Sequence, residues 1–316
     1  MPHQCPRCHS DQIRDGRIQF DGFALLERGC LACHLFESRR SDAADAAPWQ
    51  ARWAAPPSAG APAPVPEAHL AAVTAAPRDD APRLAYAELL AGARPERAEL
   101  IRLQIARGSA GVPSAREREL LRAHGAEWAR YLEPYTRAVI EPKPDPGWAF
   151  DRGFIAWIRG DADVLLGLGE RLFQLAPIEH LDLAADPPVR PALDSPLLAH
   201  LRSLGLPGCR LDDDDAATLA GNPALAGLRW LDLRDNQIGE RGMAALAASP
   251  MLRAIPIILL GGNPGDPSEQ YSVDWDGSVA DSWLPAHGEA LERAHGRIAW
   301  LHVPPAGARP DRYAAS

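Results

Sequence analysis

Leucines return at a fixed interval through the second half of the chain, and this constrains the fold more than any other feature. Leu201-x-x-Leu204-x-Leu206-x-x-Cys209-x-Leu211 is followed 27 residues later by Leu228-x-x-Leu231-x-Leu233-x-x-Asn236-x-Ile238, and after another 27 by Ile255-x-x-Ile258-x-Leu260-x-x-Asn263. Upstream, Ile178-x-x-Leu181-x-Leu183-x-x-Asp186 opens a proline-interrupted unit of 23 residues, and Phe154-x-x-Trp157 stands 24 residues earlier still. Each unit reads as a short strand, a turn and a helical return, the returns lying at 216–219 and 242–248. One such unit cannot bury its apolar side alone, so consecutive units must stack.

This spacing resembles leucine-rich repeats, and units of 27 with helices resemble the ribonuclease-inhibitor-like subclass. The resemblance implies a short solenoid whose Leu and Ile positions point inward. It implies a turn in which Asn236 and Asn263 bond backbone groups that would be costly to bury unpaired. Cys209 occupies the same turn position and needs no metal or base to explain it. The residues between the inward leucines then line a concave sheet: His180, Asp182, Ser203, Gly205, Trp230, Asp232, Arg234, Ile257 and Leu259. Of these, His180, Asp182, Trp230, Asp232, Arg234, Ile257 and Leu259 form the expected partner-binding face, with Trp230 beside Ile257 as an aromatic anchor. The competing expectation is that the C-terminal segment folds over Ile257 and Leu259.

Chemistry of another kind sits at the N-terminus. Cys5-Pro-Arg-Cys8 and Cys30-Leu-Ala-Cys33 are two C-x-x-C pairs with 21 residues between the inner cysteines. Two such knuckles supply four thiolates in a tetrahedron, which suits one structural zinc ion. Between them Ile13, Ile18, Phe20, Phe23 and Leu25 read as a hairpin turning at Asp21-Gly22. A module of about 40 residues lacks the core to fold alone, and metal binding supplies the missing free energy. Cys8-His9 and Cys33-His34 also fit covalent haem attachment, but two haems would need far more apolar wall, and no export signal precedes them. A redox dithiol is the remaining alternative. Six Arg against five acids within residues 1–40 leave no electrostatic footprint for nucleic acid.

Residues 41–66 are dominated by Ala and Pro and read as a flexible tether; the 11 residues 56–66 would span roughly 30 Å as polyproline II. Residues 67–132 read as helices. Asp79 or Asp80 caps one, with Leu84, Leu89 and Leu90 facing inward; Pro95 opens the next; Ser114-Ala-Arg-Glu117 is a capping box for a third. The string Ala76-Pro-Arg-Asp-Asp-Ala-Pro-Arg-Leu-Ala-Tyr-Ala-Glu-Leu-Leu90, with Glu99-Leu-Ile-Arg-Leu-Gln104, resembles the bacterial repeat-companion domain, over about 45 residues. Glu88-Leu89 stands where that family usually has Asp-Trp. The resemblance implies a helical segment preceding repeats, and no catalytic activity.

The remaining composition excludes more than it assigns. Net charge is −9, which disfavours free nucleic acid and anionic membrane as partners of the whole chain. No apolar run reaches membrane-spanning length, and the start, Met1-Pro-His-Gln-Cys5, carries no export signal, so the cytoplasm is the expected compartment. No P-loop, nucleophile elbow or zincin motif occurs. Asp212 to Asp215 suit a helix N-terminus better than a calcium site. The sequence thus predicts a multidomain α/β chain: zinc ribbon 1–40, linker 41–66, helical segment 67–150, leucine-rich-repeat solenoid 151–268, and C-terminal cap 269–316. Its expected work is non-enzymatic capture of another protein. Nucleic-acid contact through the ribbon is the alternative, and an enzyme with an unrecognised site is a third. Oligomeric state is not legible.

Overall fold

A computed structural model describes residues 13–20, 23–30, 36–41, 67–108, 111–129, 132, 135–136, 147–186, 188–273 and 279–303. The linker 41–66 lies outside the described residues except for Ser41.

The N-terminal module contains three strands, β1 (Ile13–Phe20), β2 (Phe23–Cys30) and β3 (Phe36–Arg40), in one antiparallel sheet of order β1-β2-β3. Phe20 pairs with Phe23, so β1 and β2 form an antiparallel pair, and the expected turn Asp21-Gly22 lies outside the described residues. Ser41 closes the third strand: its N–H bonds Ala24 O and its Oγ accepts from Ala24 N at 3.0 Å.

Four helices follow: α1 (Glu67–Ala75), α2 (Asp80–Leu90), α3 (Pro95–Arg107) and α4 (Ala115–Ala129). Asp79 caps α2, accepting from Ala81 N at 2.9 Å, and Ser114 Oγ accepts from Glu117 N at 3.1 Å. Glu117 does not complete a reciprocal box with its carboxylate; it is buried and takes Gln104 Nε2 at 2.8 Å and Arg107 Nε at 3.1 Å. The inward face of α2 also differs from expectation. Arg83, Ala87 and Leu90 are buried, while Leu84 and Leu89 remain exposed. The reason is a guanidinium that binds in place of a leucine. Arg83 donates to Arg152 O and Pro77 O, lies 5.1 Å from the Phe154 ring centroid, and is pushed down to about 10 by burial and by the charge of Arg152.

The second half forms one six-stranded sheet: β4 (Trp148–Asp151), β5 (Phe154–Gly160), β6 (His180–Leu183), β7 (Ser203–Gly205), β8 (Trp230–Asp232) and β9 (Ile257–Leu259), in that order. β4 and β5 are antiparallel and all later pairs are parallel. The expected multidomain chain built on a short leucine-rich-repeat solenoid with a helical cap is therefore corrected. The fold is α/β, with a mixed, mostly parallel sheet and nine α-helices among the described residues. A repeat of 23 to 27 residues is the length of a strand, a turn and a return; it dictates parallel neighbours without saying where the sheet ends. Here Phe154-x-x-Trp157 belongs to a full seven-residue strand, and β4 adds to it from the opposite direction.

Ile158, Leu181, Leu204, Leu231 and Ile258 stand in one register row across β5–β9, all buried. They share a core with the inward residues of α5 (Ala162–Leu175), α6 (Asp213–Gly221), α7 (Glu240–Ala248) and α8 (Pro250–Arg253). Leu100, Leu120 and Ala129 of α3 and α4 belong to the same core, while Phe154 joins Val73, Ala87, Leu90, Ala98 and Ile101 in a smaller cluster. Asp212 caps α6 in a reciprocal box with Asp215, which places the acid run at the positive end of a helix.

Beyond β9 come the hairpin β10 (Gln270–Val273) and β11 (Val279–Trp283), helix α9 (Ala286–His295), and a 3₁₀ turn at Ala299–His302. Ile298, Trp300 and Leu301 are fully buried in the main core, and Trp283 is half exposed. No described helix is long and apolar enough to cross a membrane.

Candidate functional site

Parallel pairing aligns two rows on the face of the sheet opposite the leucines. One row reads Trp157, His180, Ser203, Trp230, Ile257, and the other Arg159, Asp182, Gly205, Asp232, Leu259. The sequence placed His180, Asp182, Trp230, Asp232, Ile257 and Leu259 together, and the register brings them together. Trp157 and Arg159 extend both rows and were missed, although the alternation through Ile155, Trp157 and Arg159 carried the signal. The Arg159 guanidinium lies 5.4 Å from the Trp157 ring centroid, within cation–π range.

Burial grades along these rows. His180, Asp182, Ser203, Trp230 and Asp232 are all buried, and Trp230 keeps only 4% exposure, so it is no exposed anchor. Ile257 and Leu259 on β9 are half-buried. His180 Nδ1 and Ser203 Oγ lie 2.6 Å apart, a short contact that commits both groups. A Cβ at Gly205 would collide with the Asp182 carboxylate, so the absence of a side chain at this position gives that carboxylate its room.

Arg234 is held at the end of β8 by a two-point bond to Asp232. Nε meets Oδ1 at 2.9 Å and Nη2 meets Oδ2 at 2.7 Å, with the Asp232 side chain 1% exposed and Arg234 47% exposed. Such a fork fixes the plane of the guanidinium. The bond to Asp232 raises the Arg234 pKa, and the charges of Asp232, Asp235 and Asp182 add to it. Cys209 sits in the same field. Burial, then Asp182 and Asp232, push its thiol up to about 12, so it stays protonated and unreactive at neutral pH. The Trp230 Nε1–H is buried with no acceptor among the described residues, an arrangement that costs about 1–3 kcal/mol.

The turns after the strands are built by side-chain amides. Asn236 Nδ2 donates to Leu206 O and Leu233 O at 2.9 and 2.8 Å, and its Oδ1 accepts from Leu211 N at 3.0 Å. Asn263 repeats this with Leu233 O, Leu260 O and Ile238 N. Cys209 has only long sulfur contacts, 3.8 Å to Leu183 O and 3.6 Å to Pro207 O.

Of the four expected metal ligands, Cys5, Cys8 and Cys33 lie outside the described residues, and so does the Cys30 side chain. The described backbone nonetheless bears on their fit. Cys30 is the last residue of β2 and pairs with Ile13, the first of β1. Among the described residues no group of three or more His, Cys, Asp or Glu side chains is placed to hold a metal ion. Comparison with known proteins finds no matching family model, no matching curated protein and no matching solved structure.

Proposed function

We propose that this chain is a non-enzymatic interaction protein of the cytoplasm that captures another protein at the β8–β9 margin of its sheet. The observation that carries this reading is the grading of the sheet face: a pre-oriented, half-exposed Arg234 stands beside half-buried Ile257 and Leu259. Apolar ground next to a positioned guanidinium is the composition of an interface hot spot. Groups with catalytic potential nearby are committed to structural roles: the Cys209 thiol is held protonated, His180 is engaged by Ser203, and Asp212 and Asp215 cap α6.

The proposal includes one structural zinc ion held by Cys5, Cys8, Cys30 and Cys33. Its support is the spacing of the two C-x-x-C pairs on either side of the β1–β2 hairpin, and thiolates in a reducing compartment suit it. The ion would supply folding free energy to the N-terminal module and no reaction step.

A photo-crosslinking residue placed at Ile257 in the full chain, used in the cell of origin, tests the interface. A defined protein crosslinked from Ile257, absent with the same probe at exposed Val112 and lost on Arg234→Ala, supports the reading; equal labelling from both positions sinks it. Salt-dependent binding of the full chain to an oligonucleotide would put the nucleic-acid alternative in its place. Metal analysis tests the ion: one zinc per chain, lost in Cys30→Ser with the melting of the sheet unchanged.

A further inference from the structure

Arg234 carries more donors than Asp232 accepts. A guanidinium has five N–H groups in one plane. Asp232 takes one from Nε and one from Nη2, and its Oδ1 also accepts the Arg234 backbone N–H at 3.0 Å. The two N–H groups of Nη1 and the second of Nη2 are taken by no described residue. They form the edge of the plane that turns away from the buried Asp232, on a side chain that is half exposed. The ground beside that edge is open. Asp235 N donates to Gly261 O at 2.9 Å, so Gly261 lies alongside the step from Arg234 to Asp235. Gly261 is exposed, and a Cβ there would meet nothing within 4 Å. Just before it on the same path stand the half-buried Ile257 and Leu259, with Leu259 opposite Asp232.

We infer that the partner of this margin is a peptide segment that presents an acidic side chain to the free edge of Arg234 and an apolar side chain to Ile257 and Leu259. The inference rests on the docking reading above and adds the chemistry of the partner. A carboxylate has two oxygens spaced to take two parallel N–H groups, here one from Nη1 and one from Nη2. Asp232 is a positioning residue. It fixes the guanidinium plane before the partner arrives, so less side-chain freedom is lost on binding. Charge decides which anion fits. Asp232, Asp235 and Asp182 all act on this guanidinium, so each further anion brought beside them is opposed. A segment with one carboxylate engages the free edge against the least opposition, and a run of phosphates multiplies it.

A random-peptide display library selected on the immobilised full chain supplies the probe. Selection is expected to return peptides in which a glutamate or aspartate stands close to an apolar side chain. They should crosslink from a photoreactive residue at Ile257 and not from one at Val112. Replacing the peptide's acid by its amide is expected to weaken binding about fivefold, the upper end for a partly exposed ion pair. In Arg234→Gln the acid and amide peptides are expected to bind alike. Asp232→Asn leaves Arg234 in place but loosens the fork, so the preference for the acid should fall without vanishing. A merely structural Asp232 would leave that preference unchanged. Peptides that crosslink from Ile257 but prefer no acid, or keep the preference in Arg234→Gln, would overturn the carboxylate inference and leave the docking margin standing. Failure of any peptide to crosslink from Ile257 would sink both. Should Arg234→Gln fail to fold, Gly261→Glu takes its place, since its side chain enters open space and sets a carboxylate of the chain itself beside the free edge. An undiminished preference for the acid peptide in that variant would overturn the inference instead.

Discussion

Asn236 and Asn263, in the turns of the sheet, each satisfy backbone groups of two adjacent turns with one short side chain. In the helices the buried polar residues are long and reach across elements. Gln104 links Glu117 to the Gly153 N–H, Arg107 meets the same Glu117, and Arg97 lies over the rings of Trp128, Phe150 and Phe154. The difference follows from what each region leaves unpaired. Parallel strands ending in tight turns strand backbone amides and carbonyls at fixed points, and an amide side chain two bonds long fits those points. Helices satisfy their own backbones, so their buried polar groups must find each other or an aromatic face.

The largest test of this contrast is Glu117→Ala. Removing a fully buried carboxylate takes from Arg107 and Gln104 the acceptor they share, and breaking a buried pair from one side costs about 3–5 kcal/mol. Urea denaturation measures it, and a loss below about 1 kcal/mol would mean the helical network is ordinary surface electrostatics. Asn236→Ala should cost less, about 1–3 kcal/mol, and Asn263→Ala about the same. A much smaller loss at either would break the claim that the turns depend on side-chain amides.

Cys209 sharpens the comparison from within the sheet. It holds the same turn position with two weak sulfur contacts, so Cys209→Ala should cost less than Asn236→Ala, on the order of 1 kcal/mol. Its thiol is raised from 9.0 in the unfolded chain to about 12 when folded. The folded state then holds the proton more tightly. This contribution is complete below the unfolded value and is lost as pH rises from there toward the folded one. Alkaline melting of wild type against Cys209→Ala measures it; parallel curves would show the thiol is not withheld from water. A thiol reagent at neutral pH should likewise label Cys209 only after unfolding.

The inward leucines of the repeats, the roles of Asn236 and Asn263, a cap at Asp79 or Asp80 and a helix start at the run Asp212 to Asp215 were legible from spacing and residue type, because each is set by neighbours in sequence. Three features were not. The addition of β4 to the sheet depends on an antiparallel pairing outside the repeat period, and this is why the solenoid expectation gave way to a mixed sheet. The burial of Arg83 ahead of Leu84 and Leu89 depends on the Arg152 carbonyl and the Phe154 ring, both more than 65 residues away. The burial of Trp230 is a tertiary property that alternation along a strand cannot report, since alternation assigns a face without saying what lies over it.

Arg152 adopts a left-handed φ of 47° in the β4–β5 turn, with Gly153 behind it so close to Ile101 that a side chain there would strike the α3 backbone. From that turn Arg152 reaches Pro77 O and Arg78 O, while Arg78 and Arg152 share Glu179 at the entrance to β6. Anyone trimming the gene to express the sheet by itself would inherit a problem here. A fragment starting at residue 147 keeps Glu179 and Phe154 but discards Arg78, Arg83 and Arg97, leaving an acid short of one cation and a ring stripped of two. The shortest fragment to trust with the sheet's behaviour begins before Pro77.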